Sequence, residues 1–188
     1  MKIGILGGTF NPLHTGHLIL AEEAREKLGL DKIIFVPTYL APHKDNTDVA
    51  AAQDRFNMIR LAIKGNRYFT VSDVEIKRDG FSYTIDTIRE FKKLYPNDEL
   101  YFITGSDLLK YLDAWKDLAD IIKMVKFIVA TRPGYPLEKI PAYISTVAIR
   151  AVDISAFEIR NCIKEKKSFR YLVPEAVLRY IVKKNLYR

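Results

Sequence analysis

The sequence predicts an α/β protein with a Rossmann-like, doubly wound and mostly parallel sheet, helices on both faces and a small helical segment at the C-terminus. Two observations carry this. Short runs rich in Ile, Val and Phe recur along the chain, each long enough for a buried strand. The stretches between them place apolar residues three or four apart, the period of an amphipathic helix. Regular alternation of the two implies parallel strands joined by crossover helices that cover both faces of the sheet.

The first strand is expected over residues 2–6. Leu18, Ala21, Ala24 and Leu28 then share one helical face, and Gly29 is the kind of residue that ends a helix. A second strand at 32–36 leads into a loop over 37–49, whose two prolines and polar residues suit a binding loop. The next helix, about 51–64, carries Phe56, Ile59 and Ile63 on one face and stops at Gly65-Asn66. Residues 69–72 read as the third strand. Ile85, Ile88, Phe91 and Leu94 mark a helix that opens near Ser82 and closes before Pro96-Asn97. Strands at 100–104 and 126–130 follow. Two helices, at 155–164 and 174–184, finish the chain, and Pro174 takes a first-turn position that tolerates proline.

Length and composition bound the function. A chain of 188 residues suffices for one core, so a single domain over 1–188 is expected. Hydrophobic residues make up 48% and charged residues 28%, and charge interrupts every apolar stretch before the length of a membrane span. The opening strand lacks the zones of a secretory signal, so a cytoplasmic location and no membrane partner are expected. Cys162 is the only cysteine; it cannot form an internal disulfide, offers no cluster for structural zinc, and reads as a packed helix residue. The net charge of +7 favours anionic partners without choosing between small phosphates and nucleic acid.

The chemistry concentrates after the first strand, in Gly7-Gly8-Thr9-Phe10-Asn11-Pro12-Leu13-His14-Thr15-Gly16-His17. Ligands of doubly wound sheets collect beyond the carboxyl ends of the strands. Gly7 and Gly8 carry no side chain, so backbone N–H groups can approach a phosphate there. A helix opening near Thr15 or Gly16 directs its positive end to the same place. His14 and His17, three apart at that helix start, can face one phosphate and stabilise the charge that develops on it during transfer. The competing reading is half of a metal site. With no third ligand nearby and a glycine turn just before the pair, phosphate is favoured. The turn is neither a GxGxxG fingerprint nor a Walker loop, which would need a Lys-Ser/Thr pair.

Residues 7–17 closely resemble the GGTFDPxHxGH signature of the HxGH nucleotidyltransferase superfamily, and in particular of the bacterial nicotinate-mononucleotide adenylyltransferases, with Asn11 in place of the commoner Asp. The resemblance continues in chain order. Pro37-Thr38-Tyr39-Leu40-Ala41-Pro42-His43-Lys44 is similar to that family's substrate loop, and Ser82-Tyr83-Thr84 to its nicotinate segment. Gly105-Ser106-Asp107, Trp115 and Thr131-Arg132-Pro133-Gly134 also match. Ile154-Ser155-Ala156-Phe157-Glu158-Ile159-Arg160 resembles the ISSTxIR phosphate motif, with Ala-Phe in place of Ser-Thr.

The resemblance implies transfer of the adenylyl group of ATP to nicotinate mononucleotide, giving deamido-NAD and pyrophosphate, with Mg2+ accompanying ATP. It implies catalytic roles for His14 and His17. With them, Gly7, Gly8, Thr9, Phe10, Gly105, Asp107, Ser155 and Arg160 would bind ATP. Asn11, Lys44, Ser82, Tyr83, Thr84, Trp115 and Arg132 would bind the mononucleotide.

Several residues keep a structural reading beside the functional one. Trp115 can stack on a pyridine ring or pack in the core. Asp107 can contact a ribose or cap a helix, Ser82, Thr84 and Ser155 can act as caps, and Lys44, Arg132 and Arg160 taken singly read as surface cations. Asp113, Asp117 and Asp120 read as solvent-facing or capping groups, since nothing nearby completes a carboxylate cage for a metal. Two other functions compete: a related transferase with a different acceptor, and a basic RNA-binding protein that keeps the fold without catalysis. Basic residues interleaved with acids, and aromatics placed in small-ligand loops, argue against nucleic acid. A homodimer is left open.

Overall fold

The computed structural model describes residues 1–42, 47–131, 140–150 and 152–188, the side chains at 107, 108 and 110 excepted. Its elements, in chain order, are β1 (Lys2–Gly8), α1 (Thr15–Leu28), β2 (Lys32–Pro37), α2 (Ala52–Ala62), β3 (Phe69–Val71), α3 (Val74–Arg78) and α4 (Thr84–Leu94). They continue with β4 (Glu99–Gly105), a 3-10 helix (Ser106–Ala114), α5 (Leu118–Met124), β5 (Lys126–Thr131), β6 (Ile144–Ala148), α6 (Ala156–Lys164) and α7 (Glu175–Lys184). The strands form one sheet in the order β3-β2-β1-β4-β5-β6, and every pairing is parallel. The order reverses direction between β1 and β4, which opens a crevice at their carboxyl ends.

Strand periodicity sorts the apolar residues into two layers. Ile3 and Ile5 of β1, with Leu100 and Phe102 of β4, pack against Ile85, Ile88 and Phe91 of α4. Leu6, Tyr101 and Ile103 face the other side, toward Leu20, Ala21 and Ala24 of α1 and Ile59 of α2. Gly4 shows how close that second layer lies: a Cβ there would meet side-chain atoms of Ile33 at 2.5 Å and of Leu30 and Ile103 at 2.9 Å. Met58 of α2 turns away from the sheet into a third cluster with Ile154, Ile159, Val173, Val177 and Ile181, so α6 and α7 pack outside α2. Gly29 ends α1 in the left-handed conformation, at φ 61°, as the sequence predicts.

The differences from expectation have physical causes. Strand β6 buries only Ile144 and Val147, a pattern without the continuous buried run of β2, β4 and β5. Helices α3 and α5 have 5 and 7 residues, too short to display a helical period. The loop after β2 begins one residue later than expected because Pro37 pairs with Gly8, and α4 starts at Thr84, not Ser82. Leu94, in the last turn of α4, is 60% exposed and does not join the core. Cys162 is half-buried on α6. No helix among the described residues is long and apolar enough to cross a membrane.

Candidate active site

Beyond β1 the chain makes a tight turn before entering α1. Phe10 takes φ 49°, in the left-handed region that a bulky residue rarely adopts, and the Asn11-Pro12 bond is cis. Phe10 is held there by its neighbours. Its ring meets His17 edge-on at 5.0 Å and Phe35 at 5.9 Å, and it covers the space where a Cβ on Gly8 would stand, 3.1 Å away. A side chain at Gly8 would therefore press on the Phe10 ring as well as on the space for a backbone approach to an anion.

The two histidines form one unit. His14 flanks the start of α1 in extended backbone and is 5% exposed. Its ring stacks on that of His17, centroids 3.7 Å apart. The His14 N–H donates to His17 Nδ1 at 3.2 Å, and the His17 N–H donates to the His14 carbonyl at 3.0 Å. Since Nδ1 of His17 accepts a hydrogen bond, a neutral His17 carries its proton on Nε2, which is thereby a donor for a ligand. Gly16 leaves room for this pair, because a Cβ there would lie 3.1 Å from His14 Nδ1.

A second helix start reaches the same place. The Cβ of Ile154 lies 4.0 Å from the position a Cβ on Gly16 would take, so the entry to α6 adjoins the entry to α1. Ser155 caps α6, its Oγ accepting from the Glu158 N–H at 3.1 Å. Arg160 donates from Nη1 to the Asn11 carbonyl at 2.8 Å, which brings its guanidinium to the phosphate turn. Two helix N-termini, two imidazoles and one guanidinium thus converge at one end of the crevice, a set of donors suited to a polyanion.

The crevice continues as a cleft of about 160 Å³ lined by Gly7, Gly8, Thr9, Thr38, Ala41, Pro42, Glu75, Ser82, Tyr83, Thr84, Phe102, Tyr111, Trp115 and Lys116. Two of its wall segments, the loop after β2 and the entry to α4, bind one another. Leu40 bridges Phe81, the Ser82 N–H donates to the Leu40 carbonyl at 2.9 Å, and Ser82 Oγ accepts from the Tyr39 N–H at 2.8 Å. Ser82 is thus committed to the acceptor loop and does not cap α4. Tyr83 occupies the cap position without a side-chain bond; its carbonyl accepts the Asp86 N–H at 3.1 Å, so the Thr84 and Ile85 N–H groups are the ones a carboxylate could meet at this helix start. Trp115 packs edge-on to Phe102 at 5.8 Å and against Phe127 at 5.6 Å, as its core reading expects, and also lines the cleft.

Sequence reasoning missed Glu75, Phe102, Tyr111 and Lys116 as cleft residues and named Thr38 only as part of the substrate loop. Lys116 holds its Nζ 4.8 Å from the centre of the Tyr83 ring, and only its adjacency to Trp115 signals it. Thr38 Oγ1 is buried and finds no hydrogen-bond partner among the described residues. Tyr111 lines the same wall, within a 3-10 helix that no periodicity announces. Glu75 is 5% exposed on a helix too short to read. Burial pushes its carboxyl above the usual range, opposed by the hydroxyls of Thr87 and Ser82 and by the charges of Arg78 and Arg55.

The remaining predicted residues fall elsewhere. Asn11 is buried and does not line the cleft: its Nδ2 donates to the Asp48 carbonyl at 2.9 Å and its Oδ1 accepts from the Ala50 N–H at 3.0 Å. Gly105 ends β4 beside the crevice without lining the cleft. Lys44, Arg132 and the Asp107 side chain lie outside the described residues. Asp117 and Asp120 accept from Arg89 at 3.5 and 3.3 Å, in keeping with their surface reading. Among the described residues no three His, Cys, Asp or Glu side chains gather as a metal site.

Fold and site together are those of a nucleotide-binding α/β protein, with donors suited to phosphate at the switch point of a doubly wound sheet. A cytidylyltransferase-like family model matches residues 5–161. A probable nicotinate-nucleotide adenylyltransferase of Thermus thermophilus is 45% identical over the whole length of both chains, and one of Desulfitobacterium hafniense is 44% identical, covering 100% of this chain and 96% of the relative. In solved structures, nicotinic acid mononucleotide adenylyltransferase of Plasmodium falciparum, complexed with NaAD, superposes with a TM-score of 0.80 at 21% identity, over 99% of this chain and 97% of that one. The chain belongs to the cytidylyltransferase-like family and, within it, to the nicotinate-nucleotide adenylyltransferases.

Proposed function

We propose that the whole chain works as one nucleotidyltransferase domain that joins the adenylyl group of ATP to nicotinate mononucleotide, releasing pyrophosphate and forming deamido-NAD. The observation that carries this reading is the two-ended crevice: donors converge on a polyanion at one end, and an aromatic wall beside an open helix start takes a flat, acidic ring at the other. The names of the full-length relatives support the same activity.

The nucleophile is a phosphate oxygen of the mononucleotide, which needs no protein base because the second pKa of a phosphate monoester is about 6. It forms a bond to the α-phosphorus of ATP as the bond from that phosphorus to the pyrophosphate oxygen breaks, and the electron pair leaves on pyrophosphate. His17 Nε2, His14 and the N-terminus of α1 stabilise the charge developing around the α-phosphate. Ser155, Arg160 and the start of α6 hold the other phosphates. Gly7, Gly8 and Thr9 line the floor between the two substrates. Trp115 stacks on the pyridine ring, and the Thr84 end of α4, with Lys116 nearby, receives the carboxylate. Asn11 acts on the mononucleotide only through the loop it pins. Mg2+ bound with ATP would offset the negative charge of the phosphates that Ser155, Arg160 and the start of α6 hold.

The test is to incubate the purified chain with α-labelled ATP, Mg2+ and nicotinate mononucleotide. Label passing into deamido-NAD with equimolar pyrophosphate supports the reading, and label that stays in ATP or appears as AMP rejects it.

A further inference from the structure

Arg55 belongs to none of the sets assigned above. It stands on α2 and is only 1% exposed. A buried guanidinium is costly unless its donors are satisfied, and an apolar side chain of similar size would fill the volume more cheaply. No carboxylate among the described residues pairs with it; Tyr187 and Glu75 act on it only at longer range. Its partners are three backbone carbonyls: Ala50 from Nε at 2.9 Å, Thr9 from Nη1 at 2.8 Å and Tyr39 from Nη2 at 3.1 Å.

Those carbonyls come from three places that substrate binding has to bring into register. Thr9 belongs to the phosphate turn. Tyr39 belongs to the acceptor loop, with its own N–H on Ser82 at the entry to α4. Ala50 lies at the far end of that loop, with its N–H on Asn11, whose carbonyl is in turn held by Arg160. A planar fork with fixed donor directions sets the separation of the three segments, which a flexible ammonium cannot do. We infer that Arg55 is a positioning residue for the transfer, fixing the phosphate turn and the acceptor loop at the spacing that aligns the mononucleotide phosphate with the α-phosphorus of ATP. The inference rests on the adenylyltransferase reading and adds to it a residue that touches neither substrate.

The test is Arg55→Lys in the full chain, with circular dichroism, kcat, and KM for ATP and nicotinate mononucleotide measured separately. A misplacement of about 1 Å between reacting groups costs about 100-fold in rate, so kcat should fall by at least about tenfold in the folded variant. KM for the mononucleotide should rise about fivefold or more, while KM for ATP changes less, since Tyr39 loses its anchor whereas the phosphate turn, losing the Thr9 bond, keeps the His14–His17 bonds and the Arg160 contact. A kcat loss that matches only the fraction of protein left unfolded, with both KM values unchanged, overturns the inference. Should Arg55→Lys not fold, Asn11→Ala loosens the same clamp at Asp48 and Ala50 and must give the same split in KM; equal KM values in that variant and wild type overturn the inference. Wild-type protein that makes no deamido-NAD overturns the underlying activity and this inference together. Active wild type beside unaffected variants overturns this inference alone.

Discussion

The two ends of the cleft are built in different ways. At the phosphate end, the turn, both histidines and the start of α1 come from eleven consecutive residues, joined among the described residues by Ser155 and Arg160 from afar. The other end is assembled from separate segments: the Leu40–Phe81 bridge and the Ser82 bonds tie the loop after β2 to the entry of α4, and Lys116, beside Trp115, lies over the Tyr83 ring. On the proposed reading, the end built from one turn carries the transfer chemistry and the end assembled from separate segments selects the acceptor.

That division predicts separable losses. His17→Ala should cost the most, about 100-fold to 1000-fold in kcat with folding intact, because it removes a donor to the reacting phosphate. The loss should be the same for every acceptor; a loss confined to one would erase the division, and near-normal turnover would remove His17 from catalysis. Trp115→Ala should raise KM for the mononucleotide about tenfold and leave KM for ATP unchanged, with Trp115→Phe retaining most of the affinity. An equal rise in both KM values would show that the ends are not independent. Lys116→Ala should be milder, about threefold in KM for the mononucleotide at low salt and vanishing at high salt, since an exposed cation is screened. An effect insensitive to salt would mean that Lys116 is enclosed by the bound substrate.

The smallest effect on activity is expected far from the cleft. Glu23 on α1 accepts from Lys27 and from the backbone and side chain of Arg150, just past β6. These bonds, Lys27 first, lower its pKa from 4.5 to about 2. A depressed carboxylate contributes stability that is complete above its unfolded pKa and is lost as the pH falls from about 4.5 to about 2. Glu23→Gln should therefore leave turnover unchanged, unfold more easily at pH 7, and lose less stability than wild type between pH 5 and pH 2. Parallel acid unfolding curves for the two proteins would contradict this.

The same contrast governs what the sequence discloses. The Gly7–His17 segment was readable because its chemistry is local: two glycines, two histidines and a helix start within a few residues. Strands β1 to β5 were readable from their apolar runs, whereas β6 buries two residues of five and gives no such signal. Trp115 and Ser82 were found by resemblance, yet the role of Ser82 as a brace for Tyr39 depends on a contact 43 positions away. Arg55 was hidden for a different reason. An arginine on a helix reads as surface, and only the three carbonyls gathered around it explain its burial. Glu75 and Lys116 line the cleft through tertiary placement, which no spacing within their own segments announces.

The most direct measurement is steady-state pyrophosphate release with ATP and Mg2+, comparing nicotinate mononucleotide, nicotinamide mononucleotide and phosphopantetheine as acceptors under identical conditions. An acceptor end built around an aromatic wall and an open helix start predicts the highest kcat/KM for nicotinate mononucleotide, with deamido-NAD as the product. A higher kcat/KM for phosphopantetheine or nicotinamide mononucleotide would contradict that assignment.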